Sequence, residues 1–150
     1  MSYSAHRNPE RSARALGSEL HCSPKHSQNI MRAIKGMSIE EAKQFLEDVI
    51  AKKRAVPFTT HNRDVSHRKG MGPGAYPEKA SRLILRVLKN AENNAEYKGL
   101  DTENMVISHA SAYKGQKIEG MMPRAFGRSS PKNKQTTNAE LIVEEKEYGD

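Results

Sequence analysis

Apolar residues recur along this chain with two different periods, and the changes of period divide it into elements. Between Ser23 and Gly36, Ile30, Met31 and Ile34 fall on one helical face. Ser23 stands in the N-cap position, Pro24 takes the first helical position, where a missing N–H does no harm, and Gly36 supplies a stop. A second helix begins at Ser38, which has the spacing of a capping box with Glu41. It continues through Ile39, Ala42, Phe45, Leu46, Val49 and Ile50 at helical spacing. A third starts at Pro77 and carries Ala80, Leu83, Ile84, Val87, Leu88, Ala91 and Ala95 in one stripe until Gly99 ends it. All three stripes read as core faces, and none suggests a cofactor box.

Alternation marks the strands. From Asn104 to Tyr113, Met105, Ile107 and His109 are set against Val106, Ser108 and Ala110. From Ala139 to Lys146, Leu141 and Val143 share one face and Ile142 takes the other. Ser12 to Leu20 is a third candidate strand, and no internal repeat is visible.

The stretch between the last two strands is the most informative part of the chain. Hairpin loops usually hold two to five residues, yet about 25 separate Tyr113 from Asn138. Only Ile118, Met121, Met122, Ala125 and Phe126 are apolar in this segment, too few to pack it on a domain. If both arms continue as a ribbon, they project up to roughly 40 Å. An isolated two-stranded ribbon is marginal in water, so it needs support from outside the protein. The competing reading is a disordered linker.

Charge favours the ribbon. The chain holds 25 Lys+Arg against 18 Asp+Glu, a net charge of +7, but the signs are segregated. Met37–Ala51 is acidic, with Glu40, Glu41, Glu47 and Asp48. Lys52–Lys79 is basic, and so is Tyr113–Gln135, which has Glu119 as its one acid. The tail from Ala139 turns acidic again, with Glu140, Glu144, Glu145, Glu147 and Asp150. Basic segments set between acidic ones read as contact surfaces for a polyanion, because each neutralised phosphate releases condensed counterions. Pro123 and Gly127 allow sharp bends beside Arg124 and Arg128, whose guanidinium groups suit bidentate phosphate contacts.

Other chemistry is thin. The single cysteine, Cys22, rules out an intrachain disulfide and fits a reducing cytosol. No apolar run approaches a membrane span, and the opening MSYSAHRNPE does not read as a signal peptide, so a soluble cytoplasmic protein is expected. In the long basic loop 56–77, His61, Asp64 and His67 could be proposed as a metal site or a nuclease centre. They lack recognisable ligand spacing and read better as solvated or RNA-facing groups. Gly70, Gly72 and Gly74 do not form a phosphate-loop pattern, and Pro73 removes a donor from any such cradle. No nucleophile has a base beside it, so neither an enzyme nor a cofactor is expected. A free-standing RNA- or DNA-binding module remains the rival to a structural one.

Several segments in this order resemble a known family: KHSQNIMRAIKGMSIEEAKQFLEDVI, AVPF with its long insertion, KASRLILRVLKNAENNAEYKGLD, and PRAFGRSSP leading to AELIVEEKE. Over roughly Ala13 to Glu147 the chain is similar to large-subunit ribosomal protein family twenty-two, seventeen in eukaryotic nomenclature, in its archaeal and eukaryotic form. The resemblance implies an α+β fold, with three helices packed on a three-stranded antiparallel sheet and a long protruding β-hairpin, here residues 113–138, all within one domain. It implies a structural protein of the large ribosomal subunit that binds its RNA at several places and supports assembly. The hairpin tip, Met121, Met122, Pro123, Arg124, Ala125, Phe126, Gly127 and Arg128, would line the polypeptide exit tunnel. The insertion 56–77 belongs to the archaeal and eukaryotic branch. Expected RNA contacts are Arg7, Arg11, Arg14, Lys25, Arg32, Lys52, Lys53, Arg54, Arg63, Arg68, Lys69, Lys114, Lys117, Arg124, Arg128, Lys132 and Lys134. Expected partners are that RNA, neighbouring large-subunit proteins and, transiently, the nascent polypeptide, with no homo-oligomer. The sequence Gly120-Met121-Met122 makes this tip less charged than in many relatives.

Overall fold

The structure, a computed structural model, describes residues 3–146. Glu147 and Asp150 of the acidic tail lie outside the described residues. The elements run β1 (Ser12–Leu20), α1 (Pro24–Ile34), α2 (Ile39–Ile50), β2 (Val56–Pro57), β3 (His67–Arg68), β4 (Gly72–Ala75), α3 (Glu78–Tyr97), β5 (Met105–Ile118), β6 (Met121–Pro123), β7 (Ser129–Pro131) and β8 (Lys134–Glu145). Strands β1, β8 and β5 form an antiparallel sheet in that order, with β8 in the centre. Helices α1 and α3 pack on one face of it, and α2 leans on α3.

The apolar stripes bury as their spacing requires. Ile30, Met31, Ile34, Ile39, Leu46, Ile84, Leu88, Met105, Ile107 and Leu141 are all less than 2% exposed and join one core cluster. Each such side chain contributes about 1.5–3 kcal/mol relative to exposure, enough to fix which faces meet. The capping box at the start of α2 is complete: the Glu41 N–H donates to the Ser38 hydroxyl (3.3 Å), and the Ser38 N–H donates to the Glu41 carboxylate (3.2 Å). Ser23 stands at the α1 N-cap but its hydroxyl makes no cap bond. Pro77 proves to be the residue before α3 rather than its first member.

Three departures from the sequence reading have local causes. Strand β5 contains a bulge at Ser108: Ile107 faces Val143, but His109 faces Ile142. The extra residue turns His109 away from Met105 and Ile107, onto the sheet face that the helices do not cover. Second, the loop 56–77 folds into its own small sheet, with β4 between β2 and β3. Gly70 and Gly72 take positive φ in its tight β3–β4 turn, so these glycines serve chain reversal and not a phosphate cradle. Buried Asn29 on α1 fixes the entrance to this sheet, accepting from the Thr59 and Thr60 N–H groups (3.1 and 3.2 Å). Third, Glu140, counted by charge with the acidic tail, is withdrawn from solvent. It is 1% exposed on the outer face of β8.

The segment between the long strands is a hydrogen-bonded ribbon and not a linker. Pairing of β5 with β8 runs outward to Ile118↔Lys134, and β6 with β7 continues it from Met121↔Pro131 to Pro123↔Ser129. Both strands therefore extend well past the Tyr113 and Ala139 limits that alternation suggested. At the root, where β1 ends, both neighbours of β8 are irregular: one bulge lies between Gly17 and Leu20, the other between Lys114 and Lys117. Side chains of β8 satisfy the displaced backbone. Asn138 Oδ1 accepts from the Glu19 N–H (2.8 Å), Gln135 Nε2 donates to the Gly115 carbonyl (2.7 Å), and the Thr136 hydroxyl donates to the Gln116 carbonyl (3.0 Å).

Candidate nucleic-acid interface

The ribbon carries its cations outward with few partners of their own. Lys114, Arg128, Lys132 and Lys134 are exposed, and among the described residues their side chains make no ion pair or hydrogen bond. Lys117 meets Glu119 at 3.0 Å, but both side chains are more than half exposed, so the pair contributes little and is easily exchanged for a phosphate. Arg124 donates from Nε to the Ser130 hydroxyl (2.9 Å), which aims the guanidinium across the ribbon and leaves its terminal nitrogens available.

The tip closes tightly. The Arg124 N–H donates to the Arg128 carbonyl (2.8 Å), and a short 3-10 turn spans Ala125–Gly127. Within it Phe126 adopts φ 56°, a left-handed conformation unusual for a bulky residue, and Gly127 follows at φ 68°. Phe126 is 96% exposed and Met121 66%, while Met122 is half-buried. The tip thus holds an aromatic ring out in water, flanked along the chain by Arg124 and Arg128.

At the ribbon's root lies a cleft of about 820 Å³, lined by His21, Lys25, Lys79, Lys114 and Lys134 together with the first turn of α1. Four lysines converge on it, and among the described residues no carboxylate lines it. Sequence reasoning placed Lys25, Lys114 and Lys134 among the RNA contacts but omitted Lys79, which α3 brings in from a distant part of the chain. Neither charge runs nor periodicity signal that convergence; only the packing of α3 against β1 and β8 creates it.

The other expected contacts divide into two groups. Arg63, Lys69 and Lys53 are exposed, and among the described residues their side chains have no partner. The remainder are engaged by the protein itself. Arg32 donates to the Thr59 hydroxyl (3.0 Å), Lys52 pairs with Glu78 (3.0 Å), and Arg54 lies over the Phe45 ring at 4.9 Å. Arg68 lies 5.2 Å from the Tyr76 ring centroid and donates to the Gly74 carbonyl (3.3 Å). Arg7 pairs with Glu144 (3.7 Å), Arg14 stacks on Tyr3 at 5.6 Å, and Arg11 is exposed beside Glu144 and Glu145. Arg7 and Arg14 thus help strap the N-terminal segment over the outer sheet face, a role their charge alone does not reveal.

That strap centres on Glu140. The Ser4 hydroxyl and backbone N–H both donate to its carboxylate, and His109 Nε2 lies 3.0 Å from Oε1. Burial pushes the carboxyl upward, but the bonds from Ser4 and His109 outweigh it and hold it below its ordinary value. Ser4 and Glu140 both approach the same imidazole nitrogen, so the trio lacks the two-sided geometry of a nucleophile relay. His61, Asp64 and His67 are all exposed, and among the described residues no group of three or more His, Cys, Asp or Glu could hold a metal ion. No helix among the described residues is long and apolar enough to cross a membrane.

With this geometry in view, comparison with known proteins is specific. A family model described as ribosomal protein L22p/L17e matches residues 15–144. The chain is 52% identical to the large ribosomal subunit protein uL22 of Methanococcoides burtonii, an alignment covering 95% of each chain. It is 54% identical to the protein of the same name from Methanothrix thermoacetophila, over 90% of this chain and 91% of the relative. A third, from Archaeoglobus fulgidus, is 53% identical over 89% and 88%.

Proposed function

The chain belongs to the ribosomal protein L22p/L17e family, in its archaeal type, and from that membership we propose that it is a structural constituent of the large ribosomal subunit in the cytoplasm. It acts there by binding and charge neutralisation and not as an enzyme. It binds large-subunit ribosomal RNA at several places, supports assembly of the subunit, and presents residues 121–128 to the wall of the polypeptide exit tunnel. Its partners are that RNA, the neighbouring ribosomal proteins and, in passing, the nascent chain; it works as one domain and as a single copy.

The observation that carries this reading is the ribbon: two hydrogen-bonded strands standing clear of the core, with Lys114, Arg128, Lys132 and Lys134 unpartnered among the described residues. Such a ribbon does not bury enough apolar surface to hold itself rigid, so its order comes from what surrounds it. Folded RNA supplies both the phosphates and the enclosure. Phosphates crowded by RNA folding repel one another, and inserted cations relieve that repulsion while releasing counterions.

Sedimentation tests the assignment. The protein is expected to co-migrate stoichiometrically with large subunits through a high-salt wash; release as free protein under those conditions would refute it. Deleting residues 121–127 tests the finer claim and should alter tunnel-dependent drug sensitivity or stalling of translation. Subunits that assemble normally and show neither change would sink the tunnel role while leaving the ribosomal assignment standing.

A further inference from the structure

The face of α3 that points away from the core carries a row of cations. Lys79, Arg82, Arg86 and Lys89 follow one another at intervals of three, four and three residues, which at about 100° per residue places them within one narrow arc. That arc lies opposite the side of α3 that buries Ala80, Ile84, Leu88 and Ala91. All four cations are exposed, and among the described residues none forms an ion pair or a side-chain hydrogen bond. The acids of α3 are directed elsewhere: Glu78 pairs with Lys52 and Glu92 with Lys43. Glu96 lies about two turns beyond the end of the row.

A helix face that merely meets water usually sets opposite charges at i and i+4, because such pairs support the helix and like pairs oppose it. Here Lys79–Arg82, Arg82–Arg86 and Arg86–Lys89 are all like pairs. The exposed residues of α2 show the opposite sign, with Glu40, Glu41 and Glu47. The row also leads from one recess to another. Lys79 stands in the lysine-lined cleft at the ribbon's root, whereas Arg86 and Lys89 line a groove of about 510 Å³ between β1 and α3, beside Asn90 and Asn93. Over its ~15 Å length the row can meet several successive phosphates of one strand, and the two asparagines add donors and acceptors for sugar or phosphate oxygens.

We infer that the outer face of α3 and the cleft at the ribbon's root form one continuous track for the sugar-phosphate backbone of an RNA segment distinct from the one that surrounds the ribbon. The contact is to backbone, so it is insensitive to sequence. This rests on the RNA-binding reading given above and adds a second, separately removable site.

The test uses the full chain with protein-free large-subunit ribosomal RNA, read by equilibrium binding across a salt series and by hydroxyl-radical footprinting. Four proteins are compared: wild type, Arg82→Gln/Arg86→Gln/Lys89→Gln, Arg124→Gln/Arg128→Gln, and the charge-conserving Arg82→Lys/Arg86→Lys. The helix variant is expected to flatten the plot of log affinity against log salt by roughly 2 to 3. It should lose one protected RNA segment and keep that of the ribbon, and the ribbon variant should do the reverse. Arg82→Lys/Arg86→Lys should retain both the slope and the footprint, which separates lost charge from a damaged fold. An unchanged slope and footprint in the helix variant would overturn this inference, as would loss of the same segment in both variants. Failure of the wild-type protein to bind the RNA at all would instead overturn the proposed function beneath it.

Discussion

Single residues decide how the outer sheet face is closed, and Glu140 shows how. Its carboxylate is buried yet held in the charged form by Ser4 and His109. Because its folded value lies below the ordinary 4.5, the stability it supplies is fully present above that pH and is lost as pH falls through the depressed folded value. Glu140→Gln should therefore lower stability at neutral pH and flatten its acid dependence, as followed by denaturant unfolding between pH 3 and 7 (an order-of-magnitude window set by the carboxylate range). An unaltered acid limb would show that another carboxylate governs it. Gly115 makes a second prediction. A Cβ there would approach Thr136 Oγ1 to 2.5 Å and Asn138 Oδ1 to 3.2 Å, two side chains that stitch the root together. Gly115→Ala should cost about 1–3 kcal/mol by overpacking, measured by the same unfolding experiment. Neither site was legible in the sequence, since Ser4 and Glu140 lie 136 positions apart and nothing local announces the contact. Glycine in a strand signals a bulge or a close approach without naming what approaches.

At the scale of elements, the sequence was most readable where one period ran unbroken. The three helices follow their apolar spacing, and the capping box of α2 formed as its Ser38-x-x-Glu41 pattern requires. Reading failed where one residue interrupts a period. The bulge at Ser108 leaves alternation looking intact through His109 while reversing its face. The strands β2 and β3 are two residues long, too short for any pattern, and β4 contains Gly72, Pro73 and Gly74, residues that ordinarily argue against a strand. The ribbon was anticipated as a hairpin over 113–138 from its framing, its charge and the family resemblance, but apolar alternation alone could not mark its pairing past Tyr113, because its side chains face solvent on both sides and alternate with nothing. That exposure has a dynamic consequence. Amide exchange in the free protein should be fast from Lys117 to Lys134 and slow at Thr136 and Thr137, which are buried at the root. In the assembled subunit the whole ribbon should become protected; equal protection in both states would show that it needs no surroundings to hold its shape.

Across the whole molecule, the signs of charge are sorted in space more sharply than along the chain. Cations of the ribbon, of the first turn of α1 and of α3 converge around the root cleft, whereas the exposed acids of α2 occupy a different element. Family membership was legible because long segments match in order, but the row on α3 was passed over: its spacing was read only for apolar positions. The paired irregularities where the ribbon departs from the sheet carry one further implication. In paired strands successive side chains point to alternate sides, so an arm made longer or shorter by one residue would turn everything beyond that point over. Drift in the reach of such a finger between related chains should therefore come in matched steps, two residues to an arm or one compensated by a new bulge. A lone insertion would turn Arg124 and Arg128 to the opposite side of the ribbon.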